Sequence, residues 1–168
     1  MKYADMAVPS RALHLWRYTP WARIHPSKVD EVPEANAVQF KVLEGGDLVE
    51  GAPRIIDAND IGRVFLSELG GSAWTFETNG SSDVVHLQAV ASGHVAVGHL
   101  HLSLNHDVTV VLHLSGESAW TGLHITGGVG ANVRSGFGLV NELSPNGKFL
   151  HCEDWRIGRD ASLELAGL

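Results

Sequence analysis

Histidine is the conspicuous polar residue of this chain, with ten copies against a single cysteine. His99 and His101 lie two residues apart in the segment GHLHLSL. On a strand, residues two apart project to the same face, so these two imidazoles could share a metal ion. If the alternation continues into the neighbouring strands, His113 and His124 join them on the outward face. The other reading of the same residues is an exposed strand face whose imidazoles are solvated or stacked on one another. Cys152, in Leu150-His151-Cys152-Glu153-Asp154, also has two readings. A thiolate beside His151 and carboxylates could hold iron or accept sulfur. Alternation equally places Leu150 and Cys152 together on an inward face, where the thiol is an inert core group.

The spacing Gly93-x5-His99-x-His101 matches the first half of the metal-binding motif of cupin barrels. The carboxylate position of that motif is filled by Asn105 or His106. A shadow of the second motif at Pro145–Gly147 and His151 is one residue out, and a one-residue slip turns a strand side chain to the opposite face. A cupin-like metal enzyme using His99, His101 and His151 is therefore the alternative reading. Other chemistries lack their signatures. There is no Gly-x-Ser-x-Gly, no phosphate-cradling glycine–lysine loop and no Rossmann fingerprint. Gly127–Gly130 reads as a strand turn, since no helical pattern follows it. Glu153 and Asp154 are adjacent, so they face apart on a strand and make a poor acid–base pair. The five tryptophans have no interleaved basic residues, which suits packing anchors better than base-stacking platforms.

The elements that must position these residues are short alternating strands joined by tight turns. Leu100, Leu102 and Leu104 point one way, with His99, His101 and Ser103 the other. Val108, Val110, Leu112 and Leu114 form the next inward row, leaving Thr109, Val111 and His113 outward. Thr121, Leu123 and Ile125 then lie opposite Trp120, Gly122 and His124. The turns at Asn105–Asp107, Gly127–Ala131 and Gly158–Asp160 recur roughly 22 to 30 residues apart, the spacing of solenoid coils. Upstream, five of the six prolines fall before residue 54, which implies short elements joined by turns. A short helix from Ser10 to about Tyr18 and a strand over Val38–Leu43 are expected there. The clearest helix is Asn59 to Leu69, capped by Asn59 or Asp60, with Ile61, Val64, Phe65 and Leu69 as its apolar stripe and Gly70-Gly71 as its stop. The expected fold is mostly β: a short right-handed parallel β-helix, or β-solenoid, over residues 73–168, preceded by a small α-containing region over residues 1–72.

The segments GHLHLSLNHDVTVVLHLSG, ITGGVGANVRSGFGLV and WRIGRDASLEL resemble the core of SufB/SufD proteins, the β-helical scaffold subunits of Suf iron–sulfur cluster assembly. The turns Gly128-Val129-Gly130-Ala131 and Gly158-Arg159-Asp160-Ala161 match the family's strand–turn–strand repeat. LWRYTPW (residues 15–21) is similar to a segment found ahead of the SufD core. The chain stops at Leu168, where a family member continues through further coils to its ATPase contact and its cluster-related Cys and His positions, so none of those residues carries over. The resemblance implies a non-catalytic scaffold that pairs with a SufB/SufD-type subunit, as a homo- or heterodimer, and works with a SufC-type ATPase. It implies no stably bound cofactor, with an iron–sulfur cluster only at a subunit interface.

Composition bounds these readings. A chain of 168 residues with 44% hydrophobic and 18% charged residues describes one globular domain with a real core. The net charge of -7 argues against nucleic-acid binding, which needs clustered Lys and Arg. One cysteine excludes an internal disulfide framework. No apolar run suggests a secretory signal or a membrane span, so a reducing cytoplasm is the expected compartment.

Overall fold

The computed structural model describes residues 2–13, 16–54 and 57–168. In chain order the elements are a 3-10 turn (Tyr3–Asp5), α1 (Trp21–Ile24), β1 (Asn36–Ala37), β2 (Gln39–Val42), β3 (Gly46–Glu50), α2 (Ile61–Leu69), β4 (Ser72–Thr78), β5 (Val84–Leu104), β6 (Val108–Val129), β7 (Arg134–Leu143), β8 (Lys148–Ile157) and β9 (Ser162–Gly167). Strand makes up 53% of the chain, stacked in parallel as a β-solenoid of about four turns. The β-helix expectation therefore holds. Of the helix expected over residues 10–18, positions 14 and 15 lie outside the described residues, and residues 11–13 form a turn and bend.

The two longest strands are bent rather than straight, and the bend builds the coil. β5 turns its corner at Gly93 and β6 at Gly116, with φ of 85° and 119°. A Cβ on Gly116 would fall 2.0 Å from the Ala91 carbonyl oxygen, so both the dihedral and the close backbone approach require glycine. Each bend divides a coil into two walls. The first wall stacks the leading halves of β5 and β6, then β7 and β9. The second stacks β4, the trailing halves of β5 and β6, and β8. Val84 pairs with Thr109, Thr109 with Gly136 and Gly136 with Glu164, so successive coils advance 25, 27 and 28 residues. That is the periodicity read from the turns. Gly127 to Val129, however, are still strand, and the turn falls at residues 130–132, closed by Asn132 in the left-handed region.

Two cores hold the stack. Between the walls lie Leu100, Leu102, Leu104, Val108, Val110, Leu112, Leu114, Leu123 and Ile125, the inward rows that alternation identified. A second core lies outside the second wall, where α2 and the N-terminal segment pack on Val95, Val97, Trp120, Leu150 and Cys152. Asp60 caps α2, its carboxylate accepting from the Arg63 backbone N–H at 2.9 Å, and Gly70 ends it at φ 72°. The fully buried Phe65 and Leu66 each contribute about 1.5–3 kcal/mol of burial to this contact. Gly122 makes room for Leu66, since a Cβ there would lie 2.3 Å from the Leu66 Cδ2. β1 and β2 pair with β5, and β3 pairs with β4, so residues 36–50 share the solenoid's sheet. The expected division at residue 72 therefore does not separate two sheets. No helix among the described residues is long and apolar enough to cross a membrane.

Candidate functional site

The polar residues that could do chemistry gather on the outer face of the second wall. Parallel register stacks like on like. His99 aligns with His124 and His124 with Cys152, while His101 aligns with Thr126 and Thr126 with Asp154. This face reads as solvent-exposed in the sequence, but α2 lies over it. His99 and His124 are buried, at 4% and 1% exposure. A parallel sheet covered on both faces is the usual arrangement, and here the second cover comes from residues far upstream.

His99 bonds to the helix directly, and His124 is linked to it through Asp154. His99 Nε2 donates to the Leu66 carbonyl of α2 at 3.1 Å, which leaves its buried Nδ1 unpartnered among the described residues. The His99 and His124 rings meet edge-on, with centroids 5.8 Å apart. His124 Nε2 donates to Asp154 Oδ2 at 2.8 Å, and Arg63 Nε donates to the same oxygen at 2.7 Å. Arg63 also reaches the Glu153 carbonyl at 3.2 Å and Asp60 Oδ1 at 3.2 Å. Asp154 is thus a hub joining β8 to β6 and α2.

The electrostatics follow from this cover. Burial, assisted by the neighbouring His124, pushes His99 down to about 4. Burial and then the Arg54 charge push His101 down to about 4, so both imidazoles are neutral near pH 7. Burial alone would raise the Asp154 carboxyl, but its bonds from Arg63 and His124 hold it below the usual carboxylate range. The contact with Asp154 raises Arg63 further, against the opposing effect of burial. Burial pushes the Cys152 thiol up to about 12, with Arg63 only partly offsetting it. His124–Asp154 resembles the base and orienting carboxylate of a nucleophilic triad, but the thiol in register beside it is protonated and covered. The row is built as a clamp on α2.

The sequence-derived site residues divide among three places. His99 and His101 share a face as expected, and His101 Nδ1 meets the Thr126 hydroxyl at 2.8 Å. His113 does not join them. It lies on the first wall, before the corner at Gly116, where its Nε2 is 3.0 Å from His86 Nδ1. His151 and Cys152 do not share a site either. His151 aligns with the inward Leu123, stacks on Phe149 and approaches Glu153 Oε1 at 3.2 Å, while Cys152 aligns with the outward His124. Burial pushes His151 down, against the opposing charge of Glu153. The expected inward packing of Cys152 becomes packing in the lateral core, against the α2 side. A covered, protonated thiol with its neighbouring imidazole on the opposite face does not fit an iron or iron–sulfur ligand pair. No group of three or more His, Cys, Asp or Glu side chains placed to hold a metal occurs among the described residues. The parallel ladder also differs from the antiparallel strands of a cupin, and His151 points away from His99 and His101. Sequence reasoning missed Arg63, whose helical position signals nothing of its partner 91 residues away.

Fold and site together define a β-solenoid whose lateral face is clamped by a helix through an Arg–Asp–His hub. Comparison of the chain with protein-family models, curated proteins and solved structures found no match.

Proposed function

We propose that this chain is a non-catalytic scaffold subunit in iron–sulfur cluster assembly, similar in role to SufD. In this reading it pairs with a SufB/SufD-type subunit and works with a SufC-type ATPase in the cytoplasm. The supporting observation is the parallel β-solenoid of about four turns, the fold that the sequence resemblance implies. Among the described residues β8 pairs only with β6, and β9 only with β7, so each keeps a free edge. Ile157, Leu165 and Leu168 around that coil are 47%, 56% and 90% exposed. A free strand edge with apolar side chains beside it is a template for a strand from another chain. The sequence motifs supply the finer identity of the partners. Any cluster handled by such a complex is cargo at a subunit interface, not a group held by Cys152 and His151.

Co-expression with SufB-type and SufC-type proteins, followed by size-exclusion chromatography, tests the reading. A stoichiometric complex that Leu165→Lys disrupts is the expected result. Failure to bind either partner would overturn it. So would stoichiometric binding of a single metal ion by the isolated chain that is lost in a His99→Ala/His101→Ala variant.

A further inference from the structure

The outer face of the second wall continues beyond the clamp into an open groove of about 370 Å³, within the size range of small-ligand sites. Arg54 and Arg156 line it, together with His101, Thr126, Gly128 and Asp154. Arg54 and Arg156 form no ion pair among the described residues, although acidic residues outnumber basic ones 19 to 12 in the chain. The one carboxylate in the groove, Asp154, is bonded through Oδ2 to Arg63 and His124 and makes no ion pair with Arg54 or Arg156. Two guanidinium groups therefore line one groove with no carboxylate among the described residues at ion-pair distance. The floor is open as well. Nothing lies within 4 Å of where a Cβ on Gly128 would be, so the backbone there is accessible to a ligand atom. Beside it, the Thr126 hydroxyl and the His101 ring are held together at 2.8 Å.

We infer that this groove binds a small organic anion through a phosphate or carboxylate group, with Arg54 and Arg156 as its charge partners and Thr126 and His101 as polar contacts. Arginine suits either group, because its planar fork donates two parallel hydrogen bonds to paired oxygens. Arg54 and His101 line the same groove, and the Arg54 charge adds to burial in holding the His101 titration down. A bound anion would offset that charge and raise the His101 midpoint. Arg156 lies on β8, part of the open last coil, but anion binding by the isolated chain needs no partner subunit, so the two readings fail separately.

Titration of the full chain with inorganic phosphate and, separately, with citrate tests this, read by NMR shifts and calorimetry at low ionic strength. Saturable binding is expected, weakened at least about tenfold by Arg54→Ala or Arg156→Ala and reduced by added salt. The tighter of the two probes identifies the preferred anionic group. Both arginines are exposed, so these variants should keep the wild-type circular dichroism. The His101 midpoint should rise on saturation. No saturable binding of either probe overturns the inference, as does equal binding by the Arg54→Ala/Arg156→Ala double variant.

Discussion

Replacing Asp154 with asparagine probes the clamp with almost no change in shape. In the wild-type protein one carboxylate oxygen accepts from Arg63 at 2.7 Å and from His124 at 2.8 Å. The Asp154 and Arg63 side chains are 15% and 20% exposed, so water can replace little of what is lost. A charge-assisted hydrogen bond is worth about 1.5–3 kcal/mol, whereas a fully buried pair broken on one side costs about 3–5 kcal/mol. Asparagine keeps one acceptor, and Arg63 keeps Asp60 and the Glu153 carbonyl. The expected loss is therefore about 2 kcal/mol, at the lower end of those ranges. For a chain of this length that lowers Tm by about 4–8 °C. Urea unfolding followed by far-UV circular dichroism measures it, and a double-mutant cycle with Arg63→Met isolates the pair. The pH dependence supplies the sign. The folded-state pKa of Asp154 is depressed, so its contribution is complete above the unfolded value of about 3.9 and disappears as pH falls through the folded value. The gap between wild type and variant should then close in acid. A loss under about 0.5 kcal/mol, additive single-variant effects, or a gap unchanged at low pH would refute the hub.

Three further outcomes follow from the same geometry. Since burial holds His99 down to about 4 in the folded chain, against about 6.5 unfolded, it costs nothing above pH 6.5, and the fold loses stability on acidification through that window as the unfolded chain takes up the proton. The full loss is about 3 kcal/mol by linkage, and His99→Leu should flatten the stability profile over that range in chemical denaturation; an unchanged slope contradicts it. Gly116→Ala should cost about 2–4 kcal/mol in thermal melts, because it combines a strained φ with a backbone clash. Gly128→Ala, in open space, should change stability by less than about 1 kcal/mol, and equal costs at the two positions would contradict the corner argument. Cys152, buried with its thiol pushed up to about 12, should resist iodoacetamide at pH 8 in the native protein and react once urea unfolds it, as mass spectrometry would record.

Much of the wall structure was legible because alternation is a local property. The inward rows of β5 and β6 and the helix from Ile61 to Leu69 each announce themselves within about a dozen residues. The candidate site was legible only in part. His99, His101 and His124 share a face by parity alone, but parity does not say what covers that face. His113 was misplaced because the corner at Gly116 turns the chain onto another wall, and a single glycine in a strand does not reveal whether it bulges, bends or packs.

Sequence by itself determined the periods: strands of alternating faces, turns spaced by one coil, and one amphipathic helix with its cap and its glycine stop. These depend on neighbours within a few residues, where steric and hydrogen-bonding preferences act directly. Only the tertiary structure decided that α2 covers the second wall. That cover buries His99 and His124, which read as exposed in the sequence, keeps His99 neutral, and brings Arg63 to Asp154 across 91 residues of chain. Those outcomes depend on which apolar face finds which partner; burial then keeps His99 and Cys152 uncharged, while Arg63 keeps Asp154 ionised against it.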